Sequence, residues 1–296
     1  MMENILTIQD IEKRFGQEKI LKNISLEIYE AEIVGLIGKN GSGKTTLFNI
    51  ILDYLKASAG SYRWGNQLKP SELSNMISRP KFFDYLSAYE NLYYFSRIRA
   101  IDPNRISEVL ELVKLDGDEN KQFRAFSLGM KQRLGIALCL LNQPKVLVLD
   151  EPFNGIDPEG IYDLSNLLLE LNQRKNLSIF ISSHVLEDLY NMCSRFIFID
   201  EGRVIKDISK ADLDHALTRK IFIRFDKVDQ SLRNAFLDKF GKQRIDFNGN
   251  VIIIHSNDIN EYEIHMWLNK NDINYKEINK NKQTMNEFFI KTIRGG

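Results

Sequence analysis

Apolar residues fall into two kinds of run along this chain. Short unbroken runs (residues 31–37, 146–149 and 177–183) read as buried strands. Between them, apolar residues return every three or four positions. Leu47, Phe48, Ile50 and Ile51 do so after residue 45, as do Ile106, Val109, Leu110 and Val113. Leu134, Ala137, Leu138 and Leu141 repeat the pattern, then Ile161, Leu164, Leu168 and Leu171. These spacings predict helices. Two of the helices carry start signals: Ser87-Ala88-Tyr89-Glu90 fits a capping box, and Asp102-Pro103 offers a cap followed by a proline. Residues 5–8, 20–28 and 61–64 read as additional strands with a turn near Gly16, and 196–199 with 203–205 as a closing pair. Strands alternating with helices predict an α/β domain with a mostly parallel sheet over residues 1–210.

Beyond residue 210 the pattern changes. Residues 221–225 (strand), 230–240 (helix), 244–247 and 251–255 (hairpin around Asn248-Gly249-Asn250), 259–269 (helix) and 273–278 (strand) give the order βαββαβ. That is the ferredoxin-like order, and it predicts a small α+β domain over 211–296 ending in a helix at 284–293.

Composition narrows the class. Lys+Arg and Asp+Glu both number 40, so no global basic field draws the chain to nucleic acid or anionic lipid. No run approaches the roughly 18 apolar residues of a membrane span, and the start Met1-Met2-Glu3-Asn4 lacks the features of a signal peptide. Cys139 and Cys193 sit in apolar helix-like surroundings without metal spacing and are expected as buried thiols of a reducing cytoplasm.

The chemistry is concentrated where strands end. Gly38-Lys39-Asn40-Gly41-Ser42-Gly43-Lys44-Thr45-Thr46 fits G-x-x-x-x-G-K-[ST] between a strand and a helix. Glycines let backbone N–H groups close around phosphate oxygens, and the new helix turns its positive end toward the same anion. Lys44 is expected on the β- and γ-phosphates of a nucleotide, and Thr45 on Mg²⁺. The strand at 146–149 delivers Asp150 and Glu151 to the same crevice. Asp150 is expected to hold Mg²⁺ through water and Glu151 to polarise the attacking water. His184 ends a parallel strand, where it serves either structure or phosphate sensing. Phe15, beside the Gly16 turn, suits equally a core position or stacking on a nucleobase. His215, His255 and His265 read as surface or packing residues.

Taken in order, residues 5–205 resemble the nucleotide-binding subunits of ABC transporters. The P-loop matches Walker A, 146–150 Walker B, and Glu151 the catalytic glutamate. Ser127-Leu128-Gly129 matches the core of the signature, Asp157 the D-loop and His184 the switch histidine, while Phe15 takes the place of the adenine-stacking aromatic. The resemblance implies a P-loop NTPase fold of ABC type, with a helical subdomain at about 82–142 and an antiparallel β-subdomain. It implies an ATPase that dimerises head to tail, as a homodimer or with a related subunit, each P-loop facing the partner's Ser127, Leu128, Gly129 and Met130. It implies a separate membrane permease, received around 78–93, where Phe82, Phe83, Tyr85, Tyr89 and Tyr93 suit a contact surface or, for about half of them, the core, and a place at the cytoplasmic face of the membrane.

Two positions depart from the family pattern. The usual L-S-G-G-Q reads Phe126-Ser127-Leu128-Gly129-Met130 here, and Ser78 stands where the Q-loop glutamine is expected. The shorter Ser78 side chain implies slow, partner-dependent hydrolysis. Residues 127–134 resemble the branch that exports bacitracin-like peptides and lantibiotics. The rival is a soluble ABC-type ATPase or slow ATP-dependent switch in regulation, repair or translation. Its usual coiled coils, zinc cysteines or fused second cassette are not in this sequence.

Overall fold

The computed structural model describes residues 3–65, 68–77, 81–118, 120–217, 220–255, 261–281 and 285–294. Ser78 lies outside the described residues. The chain divides into two compact units, Met1–Lys210 and Ala211–Gly295.

In the first unit, strands β1 (Asn4–Phe15) and β2 (Glu18–Tyr29) pair across the Gly16 turn, where φ is 58°. β3 (Ile33–Ile37) is buried throughout and leads through the P-loop into α1 (Lys44–Ile51). β4 (Ala59–Trp64) joins the other edge of β1, giving an antiparallel sheet in the order β2-β1-β4. β5 (Leu73–Met76) is followed by the helices α2 (Ala88–Ile98), α3 (Arg105–Leu112) and α4 (Leu128–Leu140). Then come β6 (Val146–Leu149), α5 (Pro158–Lys175), β7 (Ser178–Ser183), α6 (Leu186–Tyr190), β8 (Arg195–Asp200) and β9 (Arg203–Ser209). The boundary falls after the first residue of α7 (Lys210–Ala216), which otherwise belongs to the second unit.

The central sheet runs β5-β6-β7-β3-β8-β9, parallel except for the β8–β9 pair. Its interior strands are buried on both faces, which explains their unalternating apolar sequences. Phe48 of α1 meets Phe180 of β7 edge to face, with centroids 4.8 Å apart, fixing the P-loop helix on the sheet. Such a pair contributes about 0.5–1.5 kcal/mol beyond its buried area. Cys139 docks α4 on β5, its thiol donating to the Asn75 carbonyl at 3.3 Å, while Ser74 donates to the Cys139 carbonyl at 3.0 Å. Burial pushes the Cys139 thiol up to about 12 and raises Cys193 as well, so neither is an activated thiolate.

Local signals translate unevenly into helix starts. The Ser87 capping box is present: Ser87 Oγ accepts from Glu90 N–H at 3.2 Å, and Glu90 Oε2 from Ser87 N–H at 2.7 Å. Asp102, by contrast, caps only a tight turn, accepting from Asn104 N–H at 3.0 Å; regular helix begins at Arg105. Phe82 also departs from the contact-surface expectation. It is buried and packs edge-on to Phe95 and against Phe123, whereas Tyr85 and Tyr93 are exposed.

After α7 the second unit continues with β10 (Lys220–Arg224), α8 (Gln230–Phe240), β11 (Ile245–Asn248), β12 (Val251–His255), α9 (Glu261–Lys270), β13 (Glu277–Asn281) and α10 (Met285–Arg294). Its antiparallel sheet has the order β11-β12-β10-β13, the ferredoxin-like arrangement. Ile221, Ile223, Ile252 and Ile254 face a core shared with Phe236, Ile264 and Leu268. The last strand starts at Glu277 rather than 273. Ile273 instead lies in the loop after α9, donating its N–H to the Leu268 carbonyl of that helix, and packs with Tyr275 against the core.

Candidate active site

Three neighbouring parallel strands, β6, β7 and β3, end side by side, and their carboxyl ends build the site. From β3 comes the P-loop. Gly43 has φ 107°, and a Cβ there would lie 2.5 Å from Leu21 Cδ2, so only glycine fits at the entrance to α1. At Gly38 a Cβ would meet the Ile199 carbonyl at 2.4 Å. Ser42 Oγ is buried without a hydrogen-bond partner, a polar group left for a ligand in the cradle. Lys39, Asn40 and Thr45 are exposed and Thr46 half-buried, so the loop's outer rim is open.

Lys44 is almost fully buried. Its ammonium donates to the carbonyls of Gly38 (2.6 Å) and Lys39 (3.1 Å). It also sits 3.1 Å from Glu151 Oε1, an ion pair not aligned as a hydrogen bond. The other Glu151 oxygen lies 2.7 Å from His184 Nδ1. Glu151 therefore joins the P-loop lysine to the residue that follows β7. Beside it, Thr45 Oγ1 donates to Asp150 Oδ2 at 2.6 Å, and Ser182 Oγ donates to Asp150 Oδ1 at 2.5 Å. Ser182 also accepts from the Glu151 N–H at 2.9 Å, where Glu151 turns into left-handed backbone at φ 49°. Asp188, on α6, is held above the usual carboxylate range by partial burial, and the nearby His184 pulls the other way.

Thus Lys44, Thr45, Asp150, Glu151 and His184 meet in one cluster. The remaining candidates stand elsewhere. Ser127 caps α4, accepting from Met130 N–H at 3.2 Å, and none of its hydrogen bonds reaches the P-loop. Asp157 precedes Pro158 at the start of α5; a Cβ on Gly129 would touch Ile156 at 3.8 Å, so the α4 start and the loop before α5 are neighbours. Phe15 is outside the core: the residue is 52% exposed, with the Lys13 ammonium 4.9 Å from its ring centroid. Ser182 is the residue that pattern reading passed over. Its signal was the polar pair Ser182-Ser183 closing a buried strand after Ile179, Phe180 and Ile181.

A glycine-lined cradle at a helix start, with lysine, threonine and two acids on adjacent strand ends, defines a P-loop nucleotide hydrolase. The family profile described as ABC transporter matches residues 21–154. The uncharacterized ABC transporter ATP-binding protein YdbJ of Bacillus subtilis is 33% identical over 98% of this chain and 96% of its own. The bacitracin transport ATP-binding protein BcrA of Enterococcus faecalis is 31% identical over 100% and 98%. Among solved structures, cbiO1 from Clostridium perfringens, part of the ABC transporter complex cbiONQ, matches with a TM-score of 0.66 at 25% identity, covering 71% of this chain and 90% of that one. The chain belongs to the ABC transporter ATP-binding proteins: it is an ATP-binding and hydrolysing subunit of an ABC transporter.

Proposed function

We propose that this subunit powers an exporter, through ATP-driven pairing with a second copy or a related subunit, at the cytoplasmic face of a membrane holding a separate permease. The observation that carries the proposal is the single cluster in which Lys44, Glu151 and His184 touch beside Thr45 and Asp150. The full-length likeness to a bacitracin transport protein supports transport, export is what the branch resemblance of residues 127–134 implies, and no helix among the described residues is long and apolar enough to cross a membrane.

In this mechanism Lys44 exchanges its loop carbonyls and Glu151 for the β- and γ-phosphate oxygens. Gly38 to Thr46 wrap the phosphates, and Phe15 stacks on the base. Glu151, still oriented by His184, accepts a proton from water as its oxygen bonds to the γ-phosphorus. The bridging oxygen leaves with ADP, and inorganic phosphate is the second product. The partner's Ser127 to Met130, at the start of α4, close over the γ-phosphate, and Asp157 lies at that junction.

Mg²⁺ fits the site. Thr45 and Asp150 place two hard oxygen donors together, and no three His, Cys, Asp or Glu side chains cluster for a metal among the described residues. Few protein ligands, with phosphates supplying others, is the arrangement Mg²⁺ takes; when bound it neutralises charge developing on the phosphates.

A permease encoded beside this gene is expected to retain the subunit on membranes and to raise its phosphate release several-fold. A subunit that neither co-purifies with that permease nor responds to it contradicts the transport role. The second unit is assigned to docking or regulation. A chain truncated after Lys210 is expected to bind ATP with unchanged affinity, measured by calorimetry, while its dimer lifetime or response to permease changes. Loss of nucleotide binding in a folded truncation contradicts that division of labour.

A further inference from the structure

We infer that Ser182 is a positioning residue that keys the two carboxylates of the site to each other. The inference rests on the roles assigned above to Asp150 and Glu151.

A serine hydroxyl has one proton to donate and lone pairs to accept with. Ser182 uses both in opposite directions: the proton on Asp150 Oδ1 at 2.5 Å, a lone pair on the Glu151 N–H at 2.9 Å. The side chain is 0% exposed, so water does not replace either bond. The place is set by topology, because β7 lies between β6, which carries the acids, and β3, which carries the P-loop. The bond to Glu151 falls where support is needed. Left-handed backbone is unfavourable for a residue with a Cβ, and Glu151 holds it at φ 49°. That turn is what sends the Glu151 side chain toward Lys44 and His184. Asp150 is pinned at both oxygens, by Ser182 and by Thr45, which fixes the carboxylate facing the metal position. The neighbouring Ser183 bonds elsewhere, its hydroxyl accepting from Val185 N–H and its carbonyl from Gly38 N–H.

Ser182→Ala deletes both bonds and adds no bulk. It is expected to lower kcat for ATP hydrolysis by about 10²-fold, the scale of a small misplacement of a reacting group. Affinity for ADP without metal, read by calorimetry, is expected to stay within about threefold, because the P-loop is untouched. Mn²⁺ binding to the ADP complex, read by electron paramagnetic resonance, is expected to weaken about tenfold, the lower end for losing a partner of a metal-facing carboxylate. Ser182→Cys, close in size but a weaker donor and acceptor, is expected to fall between serine and alanine in rate.

A Ser182→Ala rate within about twofold of wild type overturns the inference. So does a loss of metal-free ADP affinity as large as the loss of rate, or a cysteine variant slower than alanine. Glu151→Gln is measured alongside. If it hydrolyses ATP at the wild-type rate, the assignment of the base has failed; if it is inactive while Ser182→Ala is fully active, only the role of Ser182 has failed.

Discussion

Glu151→Gln is expected to bind ATP at least as tightly as the wild type and to hydrolyse it about 10²- to 10⁴-fold more slowly, the range for losing a general base. The substitution keeps the shape of the side chain and removes its charge. Glutamine can still meet His184 Nδ1, now 2.7 Å from the carboxylate, so His184 keeps a partner. What disappears, on the role proposed for Glu151, is the group that accepts the proton of the attacking water. The ion pair with Lys44 at 3.1 Å disappears too, and in the wild type that pair competes with incoming phosphate for the same ammonium. Phosphate release at saturating Mg²⁺ and ATP gives the rate, and filter retention of labelled ATP gives the binding. Turnover at the wild-type rate would mean that another group activates the water.

Lys44→Met should produce the opposite split. Methionine retains the aliphatic stem that fills the buried position, so α1 keeps its packing. The ammonium is lost, and with it charge-assisted bonds worth about 1.5–3 kcal/mol each, or about 10- to 150-fold in ATP affinity if one such bond is made to the phosphates. Stability also shifts, because the carbonyls of Gly38 and Lys39 lose their donor and Glu151 its counter-charge. Calorimetric titration with ADP separates affinity from turnover, and a thermal melt checks the fold. Unchanged ADP affinity would remove Lys44 from the phosphate site.

The two substitutions exploit a feature visible only in three dimensions. The P-loop and the Asp150-Glu151 pair were legible because each is a contiguous string set against an apolar run. Capping at Ser87 was legible for the same reason: its partner, Glu90, is three residues away. The Lys44–Glu151 contact was not, since it depends on β7 standing between β3 and β6, a strand order that no local pattern encodes. Ser182 was missed on similar grounds. A serine at the end of an apolar strand reads as a strand terminus until the neighbouring strand brings Asp150 to its hydroxyl. Phe82 was offered to a contact surface by the family resemblance, with the core as the alternative, and Phe95 and Phe123 from elsewhere in the helical region enclose it. The start of β13 slipped by four residues because Ile273 and Tyr275 are apolar for packing, not for pairing. Phe15 could be either core or surface by spacing, and only its exposure separates the two.

The central claim is that ATP, held by this cluster, joins two copies and that hydrolysis releases them. Sedimentation velocity of Glu151→Gln tests it most directly, with Mg²⁺ and ATP, with Mg²⁺ and ADP, and without nucleotide. The expected result is a dimer with ATP alone and a monomer in the other two. A monomer in all three, or a dimer whatever the nucleotide, would contradict it.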